Sequence, residues 1–273
     1  MKKISFPFLA VLGLLFLQCG SGTDDPGPGN DDDGGQSVDK SGNLLGIGAS
    51  ANDLLSNTNF DRILVEIAYV NGFRPTDQTM TNFTNFLTEH TFKTAQNISF
   101  EYHVVDSPTE DELTFQEIAD IESEIRQNYN DGNTIAVFIY FTDATSENDQ
   151  PEEGLVTLGA VYRNTSMVIF ERTVRLLAGQ SLAITNTDVE TATINHEFGH
   201  LFGLVNLGTP PVNDHEDPAA ANHCSVEGCL MQAQLEFGDG MMKALKSRAS
   251  KGMVVVPTLD SECRLDLQSN GGR

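Results

Sequence analysis

The chain has 273 residues, 39% of them apolar, which suits one sizeable domain or at most two small ones. Its 39 acidic residues against 16 basic ones give a net charge of -23, which speaks against nucleic acid or an anionic membrane surface as the main partner. No internal repeat is visible.

Residues 1–18, MKKISFPFLAVLGLLFLQ, join a short basic start to an apolar run too short to span a bilayer comfortably, the pattern of an export signal peptide. Cys19 follows at once. The stretch from Phe16 to Ser21 resembles a bacterial lipoprotein cleavage site, although Phe16 and Gln18 depart from the usual Leu-x-small-Cys pattern. That resemblance implies lipidation of Cys19 and an exported, outer-membrane lipoprotein on the periplasmic side or at the cell surface, with simple secretion as the alternative. From Gly20 to Gly42 the chain holds almost nothing apolar and cannot bury enough surface to offset the entropy of ordering. Residues 19–43 therefore read as a lipid-anchored, disordered tether. Asp31, Asp32 and Asp33 lack the alternating spacing and closing Glu of a calcium loop. An acidic run after a lipidated cysteine also resembles a surface-export signal.

Residues 44–273 read as one domain. Ile63 to Val70 is an apolar run suited to a buried strand, and after Pro75 the residues Met80, Phe83, Phe86 and Leu87 recur at helical spacing. Ile98 to Asp106 alternates as a strand does. Leu113, Ile118, Ile121 and Ile125 then read as one helix face, and Thr134 to Phe141 as a second apolar strand. This strand-helix alternation implies a mainly parallel sheet covered by helices. Two further strands are expected around Ala160 and Ile169.

The stretch from Ile194 to Met231 holds four of the six histidines. It begins on a predicted helix whose start signal is the capping box Thr187-Asp188-Val189-Glu190 and whose stop signal is Gly203. Within it His196, Glu197 and His200 form HExxH. Two imidazoles four residues apart share a helix face and can grip one zinc ion, and the carboxylate between them can take a proton from the attacking water. A catalytic zinc needs a third protein ligand. His215, Glu216, Asp217 and His223 are within reach along the chain.

HExxH continuing to Gly203 resembles the metzincin metalloproteases, whose third ligand lies three residues beyond that glycine. Asn206 stands there instead, and a neutral amide is a poor zinc ligand. The segment from His223 to Met231 reads HCxxxxCxM and resembles the corresponding segment of archaemetzincins. The resemblance implies His196, His200 and His223 as ligands, Glu197 as general base, Met231 as the Met-turn residue, and a loop from Asn206 to Asn222 inserted before the third ligand. His215 is the alternative third ligand. The order of elements also resembles the metzincin domain, which implies a zincin-type α/β fold with a mixed, mainly parallel five-stranded sheet and an antiparallel edge strand near Leu158 to Tyr162. More loosely, the chain is similar to bacterial lipoprotein "membrane metalloproteases".

Archaemetzincins complete a four-cysteine structural zinc site with a further CxxC, whereas here only Cys263 follows. An oxidising compartment would favour one disulfide among Cys224, Cys229 and Cys263, with a second structural metal as the alternative. The function implied is a zinc-dependent peptidase with one catalytic Zn2+, a peptide or protein substrate, contact with the membrane through the lipid anchor alone, no nucleic acid, and a monomeric state. Two alternatives stand beside it. One is a catalytically inactive or lid-closed surface binding protein, and the other an adhesin whose Asp214 to Asp217 cluster binds calcium.

Overall fold

The computed structural model describes residues 38–273, so the expected signal peptide, Cys19 and most of the tether lie outside the described residues. Ordered packing begins slightly before the expected boundary at residue 44. Asn43 has no exposed surface, and its amide donates to the Ala136 carbonyl at 2.9 Å and reaches Thr165 Oγ1 at 3.1 Å. A short apolar-poor segment is thus held by polar bonds to the strands beneath it.

In chain order the elements are α1 (Ala51–Leu55), β1 (Arg62–Val70), α2 (Asp77–His90), β2 (Ile98–Val105), β3 (Glu112–Leu113), α3 (Phe115–Ile125), β4 (Thr134–Thr142), β5 (Thr145–Ser146), β6 (Gly159–Arg163), β7 (Ser166–Phe170), α4 (Glu171–Ala178), α5 (Asn186–Leu201), β8 (Glu216–Asp217), β9 (Ala220–Cys224), α6 (Gly238–Ser250) and α7 (Ser261–Ser269). The main sheet has five strands in the order β2-β1-β4-β7-β6. All its pairings are parallel except the last, in which Gly159 faces Ile169 and Ala160 faces Val168 in antiparallel register. The mixed sheet, its helices and the antiparallel edge strand agree with the sequence reading.

Strand alternation sends Ile63, Val65, Ile67, Ile135, Val137 and Ile139 to one face, where they join the apolar sides of α2 and α5 in the larger core. The other face presents Ala68, Val70, Phe138 and Tyr140 to Ile118 of α3. Leu113, expected on the α3 face, lies instead in the short parallel pair β3-β5, because Thr114 caps the helix. The Thr114 hydroxyl accepts from the Glu117 amide while the Glu117 carboxylate accepts from the Thr114 amide. Among the described residues no helix is long and apolar enough to cross a membrane.

Candidate metal centre

Helix α5 carries the HExxH residues, and both of its ends are explained by local chemistry. Its capping box is two residues earlier than the sequence suggests: Thr185 caps, and Asp188 reaches back to the Thr185 amide at 2.8 Å. Thr187 and Glu190 face inward instead. Thr187 contacts Thr76 at 2.9 Å, and the fully buried Glu190 carboxylate accepts from the Thr76 amide at 3.0 Å, tying α5 to the start of α2. At the other end Gly203 adopts φ +71°, its amide bonds the His200 carbonyl, and the Leu204 amide bonds the Gly199 carbonyl. This double closure needs a left-handed residue, and a Cβ at 203 would stand 2.8 Å from the Thr209 amide nitrogen.

The structure brings His196, His200 and His223 together. Their ring centroids lie 4.9, 5.4 and 5.1 Å apart, and one ligand atom from each falls within 4.8 Å of the others. His223 arrives on β9, which pairs with β8 across a register shift and has Asn222 in a left-handed conformation just before that histidine. The Asn222 amide donates to Glu216 at 2.7 Å, and Asn206 also holds Glu216, so this insertion is stapled by its own polar side chains. His215 is elsewhere: its Nε2 pairs with Asp266 at 2.7 Å and its Nδ1 faces Cys224 at 3.3 Å. Asp217 bonds the Ala219 amide within the hairpin.

Tautomers follow from the hydrogen bonds. His196 Nδ1 donates to the Leu230 carbonyl at 2.7 Å and His223 Nδ1 to the Ala221 carbonyl at 2.9 Å, which leaves the Nε2 lone pair of each neutral ring free. Both Nε2 atoms, and His200 Nδ1, are buried without a hydrogen-bond partner. Burial pushes His196 down to about 4 and His200 well below its ordinary value. Three buried imidazoles whose ligand atoms lie within 4.8 Å of one another, two of them with a free Nε2 lone pair, are costly unless a cation accepts them, so the donor set fits a zinc ion.

Glu197 stands beside them. Burial holds its carboxyl well above the ordinary value, the Glu236 carboxylate adds to that, and the Val161 backbone amide opposes both. Room for it comes from Gly159, where a Cβ would lie 2.8 Å from Glu197 Cγ. Met231 lies beneath α5 with no exposed surface, its sulfur against Gly199. Glu197, His200, His223 and Glu236 open onto a cleft of about 330 Å³ walled by Phe115 and Val161. A larger cleft, about 630 Å³, lies by Asp106 and Asp120 and contains none of the histidines.

A second cluster joins Cys224, Cys229, Cys263 and Asp260, whose ligand atoms also lie within 4.8 Å of one another. All three thiols are free and buried, with 3.6 Å between the sulfurs of Cys229 and Cys263. Hydrogen bonds from Cys229 and Cys263 hold the Cys224 thiol far below its usual range. Asp260 caps α7 with Oδ1 and turns Oδ2 to Cys224 at 3.0 Å. Sequence reasoning passed over Asp260 and Glu236. Asp260 stands one helical turn before Cys263, a spacing that a search limited to Cys and His overlooks, whereas nothing in the sequence marks Glu236.

No protein-family model and no curated protein matches the chain. Among solved structures it is similar to an archaemetzincin from Methanopyrus kandleri, at 15% identity over 77% of this chain and 96% of that one, with a TM-score of 0.47. It is also similar to a zinc-dependent peptidase from Methanocorpusculum labreanum, at 11% identity over 74% and 99% of the two chains, with a TM-score of 0.44.

Proposed function

We propose that the chain is a zinc-dependent peptidase with His196, His200 and His223 as metal ligands and Glu197 as general base. The observation that carries this reading is the convergence of three buried imidazoles, each with one unpartnered nitrogen, beside a buried carboxylate that opens onto a cleft. A zinc ion held there supplies a Lewis acid for a scissile carbonyl, an acidified water, and a positive charge that favours ionised Glu197. The Leu230 and Ala221 carbonyls hold two of the rings in the ligating tautomer. Glu197 takes the proton of the attacking water and hands it to the leaving amine, work typically worth about 10²- to 10⁴-fold. Strand β6 is last in the sheet, and its Val161 borders the cleft. An extended substrate can therefore add its main chain to that edge.

A purified sample analysed for metal and for cleavage of a mixed peptide library tests this directly. Glu197→Gln is expected to keep its histidine-site metal and lose at least about 10²-fold in cleavage, whereas His223→Ala loses that metal. Undiminished cleavage in Glu197→Gln removes Glu197 from the chemistry.

A further inference from the structure

The cleft at the histidine site has walls that the metal reading leaves unexplained. Besides the groups already placed beside the metal site, its lining is apolar apart from Asn222, and its larger side chains are Ile47, Phe115, Val161 and Leu207. Among the described residues no lysine or arginine lines it. Phe115 is 45% exposed, and Ile47, Val161 and Leu207 are only partly buried. These four side chains come from four separate parts of the chain and gather round one opening, whereas exposed apolar residues without a role are normally scattered singly.

Each wall is held by its backbone. Phe115 is the first residue of α3, fixed by the Thr114 capping box, and Val161 belongs to the edge strand β6. The Leu45 amide donates to Asn164 Oδ1 at 3.0 Å and its carbonyl accepts from the Asn164 amide at 3.1 Å, which ties the segment before Ile47 to the turn between β6 and β7. Gly48 then brings Ile47 against the loop that carries Leu207. It adopts φ +76°, and a Cβ there would stand 1.5 Å from the Leu207 carbonyl oxygen, so only glycine allows this approach. The Thr209 amide bonds the Gly203 carbonyl at 2.9 Å and returns that loop to the end of α5. Walls set in place beforehand spare a ligand the cost of ordering them.

We infer that this cleft takes one bulky apolar side chain, of the size of Leu or Phe, from an extended peptide laid along β6, and that Ile47, Phe115 and Leu207 set the preference. This rests on the peptidase reading above for the reaction that follows binding. An acidic side chain would face Glu236 and find no cationic side chain in the lining. A basic one would have to compete for Glu236, which already stands 3.2 Å from His223 Nε2. Successive side chains of an extended peptide point to opposite faces, so one of them meets the apolar walls while the main chain adds to the strand edge. A volume of about 330 Å³ is at the small end for a ligand pocket and suits one such side chain.

Labelled peptide sets in which each position in turn carries Phe, Leu, Ala, Lys or Asp test it on the full chain, with binding read by fluorescence anisotropy on Glu197→Gln and cleavage read on wild type. At one position the Phe and Leu peptides are expected to bind and to be cleaved at least about 10-fold better than the other three. Phe115→Ala and Leu207→Ala are expected to narrow that gap. Phe115→Lys is expected to move the preference toward the Asp peptide, a gain that a misfolded chain cannot imitate. A wild type that prefers no class, or prefers Lys or Asp, overturns the inference, as does an unchanged apolar preference in all three variants, and cleavage that persists in either case leaves the peptidase reading standing. Apolar-selective binding by Glu197→Gln without any cleavage by wild type supports the inference and retires the peptidase reading.

Discussion

Gly199 shows how tightly single residues are constrained at this site. It lies between Glu197 and His200 on α5, and a Cβ there would come within 2.2 Å of the Met231 sulfur. Met231 has no exposed surface into which to retreat. Gly199→Ala is therefore expected to cost about 1–3 kcal/mol, read as a lower urea midpoint, and Gly199→Ala combined with Met231→Ala should cost less than the two single substitutions added together. A neutral single substitution would show that the contact imposes nothing. At this scale His196, Glu197 and His200 were legible in the sequence because helical periodicity alone puts both imidazoles on one face. His223 could be reached only through a resemblance, since the hairpin from Glu216 to Cys224 has to fold before its ring meets the other two. Glu236 was not legible at all. Its place depends on a strand bridge between Thr157 and Phe237, some eighty residues apart in the chain.

Between elements, buried carboxylates tie α4, α5 and the start of α2 together beside their apolar packing. Glu171 at the start of α4 is pushed up to about 9, first by burial and then by the neighbouring Glu190 carboxylate, with Arg175 opposing at 2.6 Å. A folded-state value raised above the unfolded one means that the folded chain holds the proton more tightly. The contribution is full below about pH 4.5 and is lost as pH rises toward 9. Glu171→Gln keeps an acceptor for Arg175 and removes the titration. Its thermal stability is expected to fall less steeply than wild type between those limits, where one full proton corresponds to a slope of about 1.4 kcal/mol per pH unit. Parallel pH profiles for the two proteins would exclude Glu171 as the titrating group. The sequence placed the five strands and helices α2, α3 and α5, whose apolar periods are strong. It gave no warning of α4, which begins directly after the β7 residue Phe170 with no polar break between them. Helix α6 opens Gly238-Asp239-Gly240, a poor helix start by propensity, and packing of Met241, Met242 and Leu245 overrides it.

Across the whole molecule, the cysteine cluster joins the segment after β9 to α7, so what occupies it sets how firmly the C-terminal region is held. With an ion on the three thiols and Asp260, a chelator at neutral pH should lower the melting temperature of His196→Ala, which lacks the histidine site, and a reductant should not. The opposite pattern, with only one of Cys224, Cys229 and Cys263 reactive in the unfolded chain, would assign a disulfide instead. An ion at 100 times its dissociation constant adds about 2.7 kcal/mol to the folded state, a shift easily seen in a melting curve. The sequence by itself determined what short-range periodicity encodes: the parallel strand-helix order, the histidine pair on one helix face, and the glycine that ends that helix. The tertiary structure alone decided which histidine completes the trio, that His215 pairs with Asp266 instead, that Asp260 joins the cysteines, and that Glu236 stands beside His223. The physical reason is separation along the chain. Neighbours within a helical turn meet whatever the rest of the chain does, whereas residues tens of positions apart meet only where burial of the core brings their strands and loops together.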